Sequence, residues 1–125
     1  MNLDKVIAGF FIILAMTLNY GFWYGEPLDM NMHNKYELFA AIVVNLIATV
    51  LKLGDKTQIG SVLIATSLVA VLQLIAAATI WTIYSVDGTM DPHIFGVIIS
   101  LSSGALLANI TSVILYIGDT LKSKR

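Results

Sequence analysis

The stretch IGSVLIATSLVAVLQLIAAATIWTIY, from Ile59 to Tyr84, contains no charged residue. A helix needs about 20 predominantly apolar residues to cross about 30 Å of hydrocarbon, so this stretch predicts a transmembrane helix. Three other stretches are similarly apolar, and together they give predicted spans at residues 6–24, 36–54, 59–84 and 94–117. We therefore expect an all-α, polytopic membrane protein, with four transmembrane helices in a single domain over residues 1–125.

The composition agrees with this class of protein. Hydrophobic residues make up 58% of the chain and charged residues 12%, and the mean hydropathy is +0.84. These values lie outside the range of ordinary soluble domains. The chain has no cysteine, which excludes disulfides, thiolate catalysis and cysteine-based metal sites.

The positions of the basic residues predict an orientation in the membrane. Only Lys35 lies on the predicted outer side, together with most of the acidic and aromatic residues. By the positive-inside rule, both termini are expected in the cytoplasm. The residues that carry this prediction are Lys5, Lys52, Lys56, Lys122, Lys124 and Arg125.

The chain also contains a candidate internal repeat. NLIATVLKLGD, residues 45–55, aligns without gaps on NITSVILYIGD, residues 109–119. The offset of 64 residues is close to half the chain, so residues 1–58 and 65–122 are predicted to be two repeated helical hairpins. The alternative is that Gly-Asp simply ends a helix twice.

Several polar residues lie inside the predicted spans. Asn45, Gln73 and Asn109 carry amides that would be costly against lipid, so we expect them to face the bundle interior. They are candidate binding residues, but helix packing is the favoured explanation for such interior faces. Lys52 is a further candidate, and its long stem is expected to reach the cytoplasmic interface.

The outer loops contain two histidines and several carboxylates. His33, His93 and acids such as Glu26 and Asp91 are of the types that bind divalent metals. Their spacing matches no recognised ligand pattern, and charged loops are commonly just solvated. We therefore predict no metal centre and no cofactor.

Two resemblances add to these patterns. Gly54-Asp55-Lys56-Thr57 resembles a motif of membrane exchangers for manganese and calcium, which implies a binding role for Asp55, although Lys52 replaces the motif's Glu. MNLDKV at the start and YELFAAIVVNLIATVLK at residues 36–52 are similar to an uncharacterised family of small bacterial inner-membrane proteins with four spans. That resemblance implies a location in the bacterial cytoplasmic (inner) membrane, but no activity.

Two classes of function remain open. Catalytic signatures and a basic nucleic-acid-binding face are missing from the sequence, so we expect neither an enzyme nor a nucleic-acid partner. The favoured hypothesis is an ion or small-solute conduit, or a subunit of one, formed by a homo-oligomer in the lipid bilayer. The alternative is a non-transporting accessory or scaffold protein that packs against another membrane protein.

Overall fold

The computed structural model of the protein describes residues 3–24, 33–53 and 58–123. They form four α-helices: α1 (Leu3–Trp23), α2 (Lys35–Lys52), α3 (Gln58–Tyr84) and α4 (Pro92–Ser123). No strand occurs in these ranges, so the predicted all-α class is confirmed. The predicted spans agree with the helices to within three residues, except at the end of α4.

The four helices pack as an antiparallel bundle. Each helix contacts the next one in the chain, and α1 also packs against α4. Contacts are more extensive within the α1–α2 and α3–α4 hairpins than across the α2–α3 and α1–α4 interfaces. The ends of α1 and α3 therefore meet the starts of α2 and α4 at one end of the bundle, which we call the outer end. The opposite end is the inner end.

Local sequence signals account for the helix boundaries at the outer end. The Asn34 side chain caps α2 by accepting a hydrogen bond from the Tyr36 N–H at 2.8 Å. Asp91 does the same for α4, since its carboxylate accepts from the His93 N–H at 2.9 Å, and Pro92 suits the first helical position. Side-chain acceptors at these positions satisfy amides that have no partner within the helix.

A two-residue turn precedes α4. Val86 and Thr89 exchange two backbone hydrogen bonds, of 2.8 and 2.9 Å. Between them, Asp87 and Gly88 both have positive φ, of 51° and 78°. Two positive φ angles in an Asp-Gly pair are typical of the type I′ hairpin turn.

The helix α4 is longer than predicted. It continues through Gly118 and Asp119 to Ser123, whereas the sequence placed the end of the span at residue 117. The interpretation that Gly-Asp ends a helix in both copies is therefore wrong for the second copy. Residues 119–123 contain no proline, and Lys122 in the last turn suits the negative end of the helix dipole. Gly54 and Asp55, in the first copy, lie outside the described residues.

The bundle has an apolar exterior as well as an apolar core. Phe22, Leu38, Leu74, Phe95 and Ile98 are fully buried in the core. Many large apolar side chains nevertheless point outwards, and a helix that is hydrophobic all round indicates a membrane or a deeply buried environment. Examples that are more than half exposed are Phe10, Val50, Leu72, Leu107 and Ile114.

Three of the helices could cross a membrane by length and composition. These are α1, α3 and α4, the last over Pro92–Lys122. The remaining helix, α2, has 18 residues, and Lys35, Glu37 and Lys52 are charged. The fourth predicted span, residues 36–54, therefore stays a prediction.

Candidate functional site

Three of the predicted interior residues are buried in the bundle. Asn45 is 1% exposed, Asn109 3% and Lys52 6%. Gln73 is half-buried on α3, where its amide packs against Gly104 of α4. Asp55, the fifth predicted residue, lies outside the described residues.

Lys52 does not extend towards the inner surface as expected. Its Nζ donates a hydrogen bond of 2.6 Å to the Ser67 hydroxyl on α3, and both side chains are buried. The prediction that its stem reaches the interface is therefore wrong. Lys52 is the last residue of α2, and α3 returns beside it after a short connection, so the interior face of α3 lies within reach of the side chain. Among the described residues, no other Lys, Arg, Asp or Glu side chain is buried.

Two hydroxyls link α3 to α4 at the inner end. Thr66 and Ser112 have their hydroxyl oxygens 2.7 Å apart. Thr66 donates its single proton to the Leu63 carbonyl at 2.9 Å, so Ser112 must be the donor between the two hydroxyls. This bond adds a polar contact between two otherwise apolar helices.

The side-chain nitrogen and the backbone carbonyl of Asn45 both form hydrogen bonds within α2. Its Nδ2 donates to the Ala41 carbonyl at 2.7 Å, and the Thr49 hydroxyl donates to the Asn45 carbonyl at 2.8 Å. Local bonds of this kind do not join helices. These bonds therefore do not explain why Asn45 is buried between the helices.

Other buried amide atoms have no hydrogen-bond partner within the described residues. They are both polar atoms of Asn19, Oε1 of Gln73 and Nδ2 of Asn109. An unsatisfied buried polar group costs about 1–3 kcal/mol, and most buried groups in native proteins are bonded. Groups that carry this cost are candidates for contact with a solute or ordered water.

The polar side chains form two layers across the bundle. With a rise of 1.5 Å per residue, Asn45, Gln73 and Ser102 lie roughly 15 Å from the outer helix ends. We call these three residues the middle layer. Lys52, Ser67, Asn109, Thr66 and Ser112 lie roughly 25–30 Å from the same ends, and we call these five the inner layer.

The outer part of the interior is aromatic and contains His33. Rings of Phe22 and Phe95 lie 5.8 and 5.2 Å from the imidazole, and Trp81 contacts both phenyl rings. The imidazole Nδ1 is 2.5 Å from the Phe22 carbonyl oxygen in the last turn of α1. A carbonyl only accepts, so Nδ1 carries a proton and caps α1.

The outer histidines do not form a metal centre with the carboxylates that the structure describes. His33 is buried, whereas His93 is exposed at the start of α4. No group of three or more His, Asp or Glu side chains in residues 3–24, 33–53 and 58–123 is placed to hold a metal ion. Glu26 and Asp29 lie outside these ranges.

Sequence reasoning missed several residues of the polar interior. Asn19 shares a helical face with Ile12, Ala15 and Phe22, at spacings of three and four residues. That spacing could have identified it as an interior amide. Ser67 shares such a spacing with Leu63 and Ala70 on α3, but its bond to Lys52 has no signal of this kind, since it depends on which residue of α2 lies opposite.

The chain was compared with known proteins. The model of a family of unknown function, DUF6394, matches residues 32–120. This range covers α2, α3 and most of α4. No curated protein and no solved structure matches the chain.

Proposed function

Because the chain belongs to the DUF6394 family, whose function is unknown, we propose a function from its own geometry. We propose that it is a multi-pass protein of the bacterial cytoplasmic membrane and that several copies form a conduit for an ion or small solute. The observation that carries this proposal is the polar interior of a bundle with an apolar exterior. Buried amides without partners, in Asn19, Gln73 and Asn109, are costly in a purely structural helix bundle.

The distribution of charge supports the proposed orientation. Lys5, Lys52 and Lys122 belong to the inner end of the bundle, and Lys35 to the outer end. By the positive-inside rule, this distribution supports a cytoplasmic position for the inner end and both termini. The fourth span, over α2, is part of the same proposal, because an outer end on one side requires all four helices to cross.

The buried Lys52 side chain limits the class of solute that the proposed conduit could carry. Lys52 lies in the inner layer, and like charges repel strongly where the effective dielectric constant is low. A cation would have to pass this ammonium group, whereas an anion or a neutral solute with hydrogen-bond acceptors would be attracted by it. We therefore propose an anion or a small neutral solute as the species that the conduit carries.

The conduit requires more than one copy of the chain. In the outer half of the bundle, Phe22, Leu38 and Phe95 are fully buried and fill the space between the helices. A single bundle therefore offers a polar layer but no open passage through its outer half. Assembly of several bundles supplies the remaining path in this proposal.

The purified protein in liposomes tests this function. Chloride, potassium and urea fluxes are measured for wild type, for Asn109→Leu and for the exposed control Thr111→Val on the same helix. We expect chloride or urea flux that depends on protein density, because assembly requires several copies. Asn109→Leu should reduce the flux at least tenfold, while Thr111→Val should retain it.

A scaffold function is the second candidate, and the same packed aromatic core favours it. A core closed by Phe22, Trp81 and Phe95 gives a rigid support for another membrane protein. Absence of flux for all three solutes, together with stoichiometric co-purification of a second membrane protein, would replace the conduit by the scaffold.

A further inference from the structure

A cavity of about 340 Å³ opens at the outer end of the bundle, between the start of α2 and the end of α3. Its lining includes the cation Lys35 and the polar or aromatic side chains of Tyr36, Trp81 and Ser85. We call it the outer cavity. Polar and aromatic side chains with a lysine are typical of the membrane–water interface.

A second, apolar cavity of about 380 Å³ lies between the same two helices. We call it the α2–α3 groove, and its lining includes Phe39, Ile42, Ile75, Thr79, Thr82 and Ile83. The Thr79 and Thr82 hydroxyls donate to the Ile75 and Ala78 carbonyls of their own helix, at 2.8 and 2.9 Å. The groove therefore presents no unpaired hydroxyl donor from these threonines to an apolar occupant.

The outer cavity and the α2–α3 groove follow one another along both helices. On α2, Phe39 lies three residues after Tyr36, and on α3, Ala78 lies three residues before Trp81. Residues three apart share one face of a helix. The outer cavity and the α2–α3 groove thus lie one below the other between the same two helices, and we call the pair the crevice.

We infer that this crevice binds one anionic phospholipid of the outer leaflet, an inference that rests on the membrane location proposed above. The phosphate lies in the outer cavity beside Lys35, and one acyl chain lies in the α2–α3 groove. A polar cavity above an apolar groove matches the headgroup and acyl chain of a phospholipid. A soluble anion has no apolar part that would occupy the groove.

The electrostatics of the outer cavity suit a phosphate. Lys35 is exposed, with its Nζ 5.4 Å from the centre of the Tyr36 ring. It is also the first residue of α2, where the helix dipole favours an anion. Glu37, the acid of the same turn, packs against Gly21 of α1, on another side of the helix.

The dimensions of the α2–α3 groove suit an acyl chain. From Ile83 to Ile75 the groove follows eight residues of α3, or about 12 Å. Half of the hydrocarbon core is about 15 Å thick. The groove is therefore long enough to contact an acyl chain through most of one leaflet.

Lipid binding is measured by native mass spectrometry of the full chain in mild detergent. Phosphatidylglycerol is titrated, with phosphatidylcholine of the same acyl chains and water-soluble glycerol phosphate as comparisons. Thr79→Phe fills the groove, and Thr111→Phe is its matched control, since both threonines are exposed and donate to the carbonyl four residues earlier. Lys35→Gln removes the outer cation, and Lys122→Gln removes an exposed lysine at the inner end.

We expect one phosphatidylglycerol per chain, bound more tightly than phosphatidylcholine. Lys35→Gln should weaken phosphatidylglycerol about fivefold, the effect of one lysine near a charged lipid surface, and Thr79→Phe should weaken both lipids at least tenfold. Both control variants should bind as wild type does. Equal loss in Thr79→Phe and Thr111→Phe, or glycerol phosphate binding as tightly as the lipid, would overturn the inference. This experiment does not measure flux. A failure of lipid binding would therefore not contradict the proposed conduit, which the liposome assay tests separately.

Discussion

Replacement of Asn19 tests whether the bundle carries an uncompensated polar group. This side chain is fully buried on α1, and neither its amide oxygen nor its amide nitrogen has a hydrogen-bond partner among the described residues. Leucine has the same γ-branched shape and no polar atom. We expect Asn19→Leu to stabilise the protein by about 1–2 kcal/mol, because an unsatisfied buried group costs about 1–3 kcal/mol and the larger methyl groups offset part of the gain.

A second variant at the same position separates polarity from packing. Asn19→Ala also removes the amide but leaves a cavity. Large-to-small substitutions in a packed core usually cost about 2–5 kcal/mol. Here we expect a change of less than about 1 kcal/mol, because relief of the amide compensates for most of the cavity.

The control is Ser102→Ala on α4. Ser102 is also fully buried, but its hydroxyl donates to the Ile99 carbonyl at 2.9 Å. Loss of this satisfied bond should destabilise the protein by about 0.5–1.5 kcal/mol. Ser102→Ala and Asn19→Leu should therefore move stability in opposite directions.

The assay is unfolding in mixed micelles, with a denaturing detergent as titrant and far-ultraviolet circular dichroism as the readout of helix content. A stabilisation of 1–2 kcal/mol is roughly a 5–30-fold change in the ratio of folded to unfolded protein. The reasoning is refuted if Asn19→Leu is less stable than wild type and Asn19→Ala costs 2 kcal/mol or more. Such a result means that the amide is bonded in the native protein.

Three further substitutions test contacts between elements in the same assay. His33→Ala removes the imidazole that caps α1, and should cost about 1–2 kcal/mol. Gly104→Val places a side chain against the Gln73 amide, within 2.8 Å at Cβ, and should cost about 1–3 kcal/mol, whereas Gly118→Val, which meets open space, should be neutral. Tyr116→Phe removes one hydrogen bond to the α1 backbone, and should cost about 0.5–1.5 kcal/mol; no change would show that this bond is not formed.

The helices could be predicted because each is encoded locally. The length and polarity of an uncharged run such as residues 59–84 are enough to predict a transmembrane helix. Helix starts are equally local, since Asn34 and Asp91 act on amides two residues away. Membership in a family of unknown function agrees with the resemblance to an uncharacterised family, while the cation-exchanger motif falls on residues that the structure does not describe.

The polar interior could be predicted only in part. The helical faces of Asn45 and Asn109 follow from spacing, and both are buried. The bond from Lys52 to Ser67 could not be predicted, because it depends on the register of α2 against α3. The lack of a hydrogen-bond partner for the Asn19 amide among the described residues also depends on such registers, and no local pattern predicts it.

The predicted duplication of residues 1–58 and 65–122 stays a prediction. In its alignment, Ala41, Asn45 and Ala48 correspond to Ala105, Asn109 and Ser112, and all six are buried. Two copies of one hairpin would bury equivalent positions in this way. Two helices that run in the same direction and occupy equivalent positions in a bundle, as α2 and α4 do, would equally do so.

The Asp87–Gly88 turn has a consequence for how the chain folds. It joins the two helices with the most extensive contact in the bundle through only seven residues, 85–91. Loop-closure entropy is small for such a connection, and local contacts form fastest. The α3–α4 hairpin combines a shorter connection than the α1–α2 hairpin with more extensive contact, so we expect it to associate before the α1–α2 hairpin, although it is synthesised later.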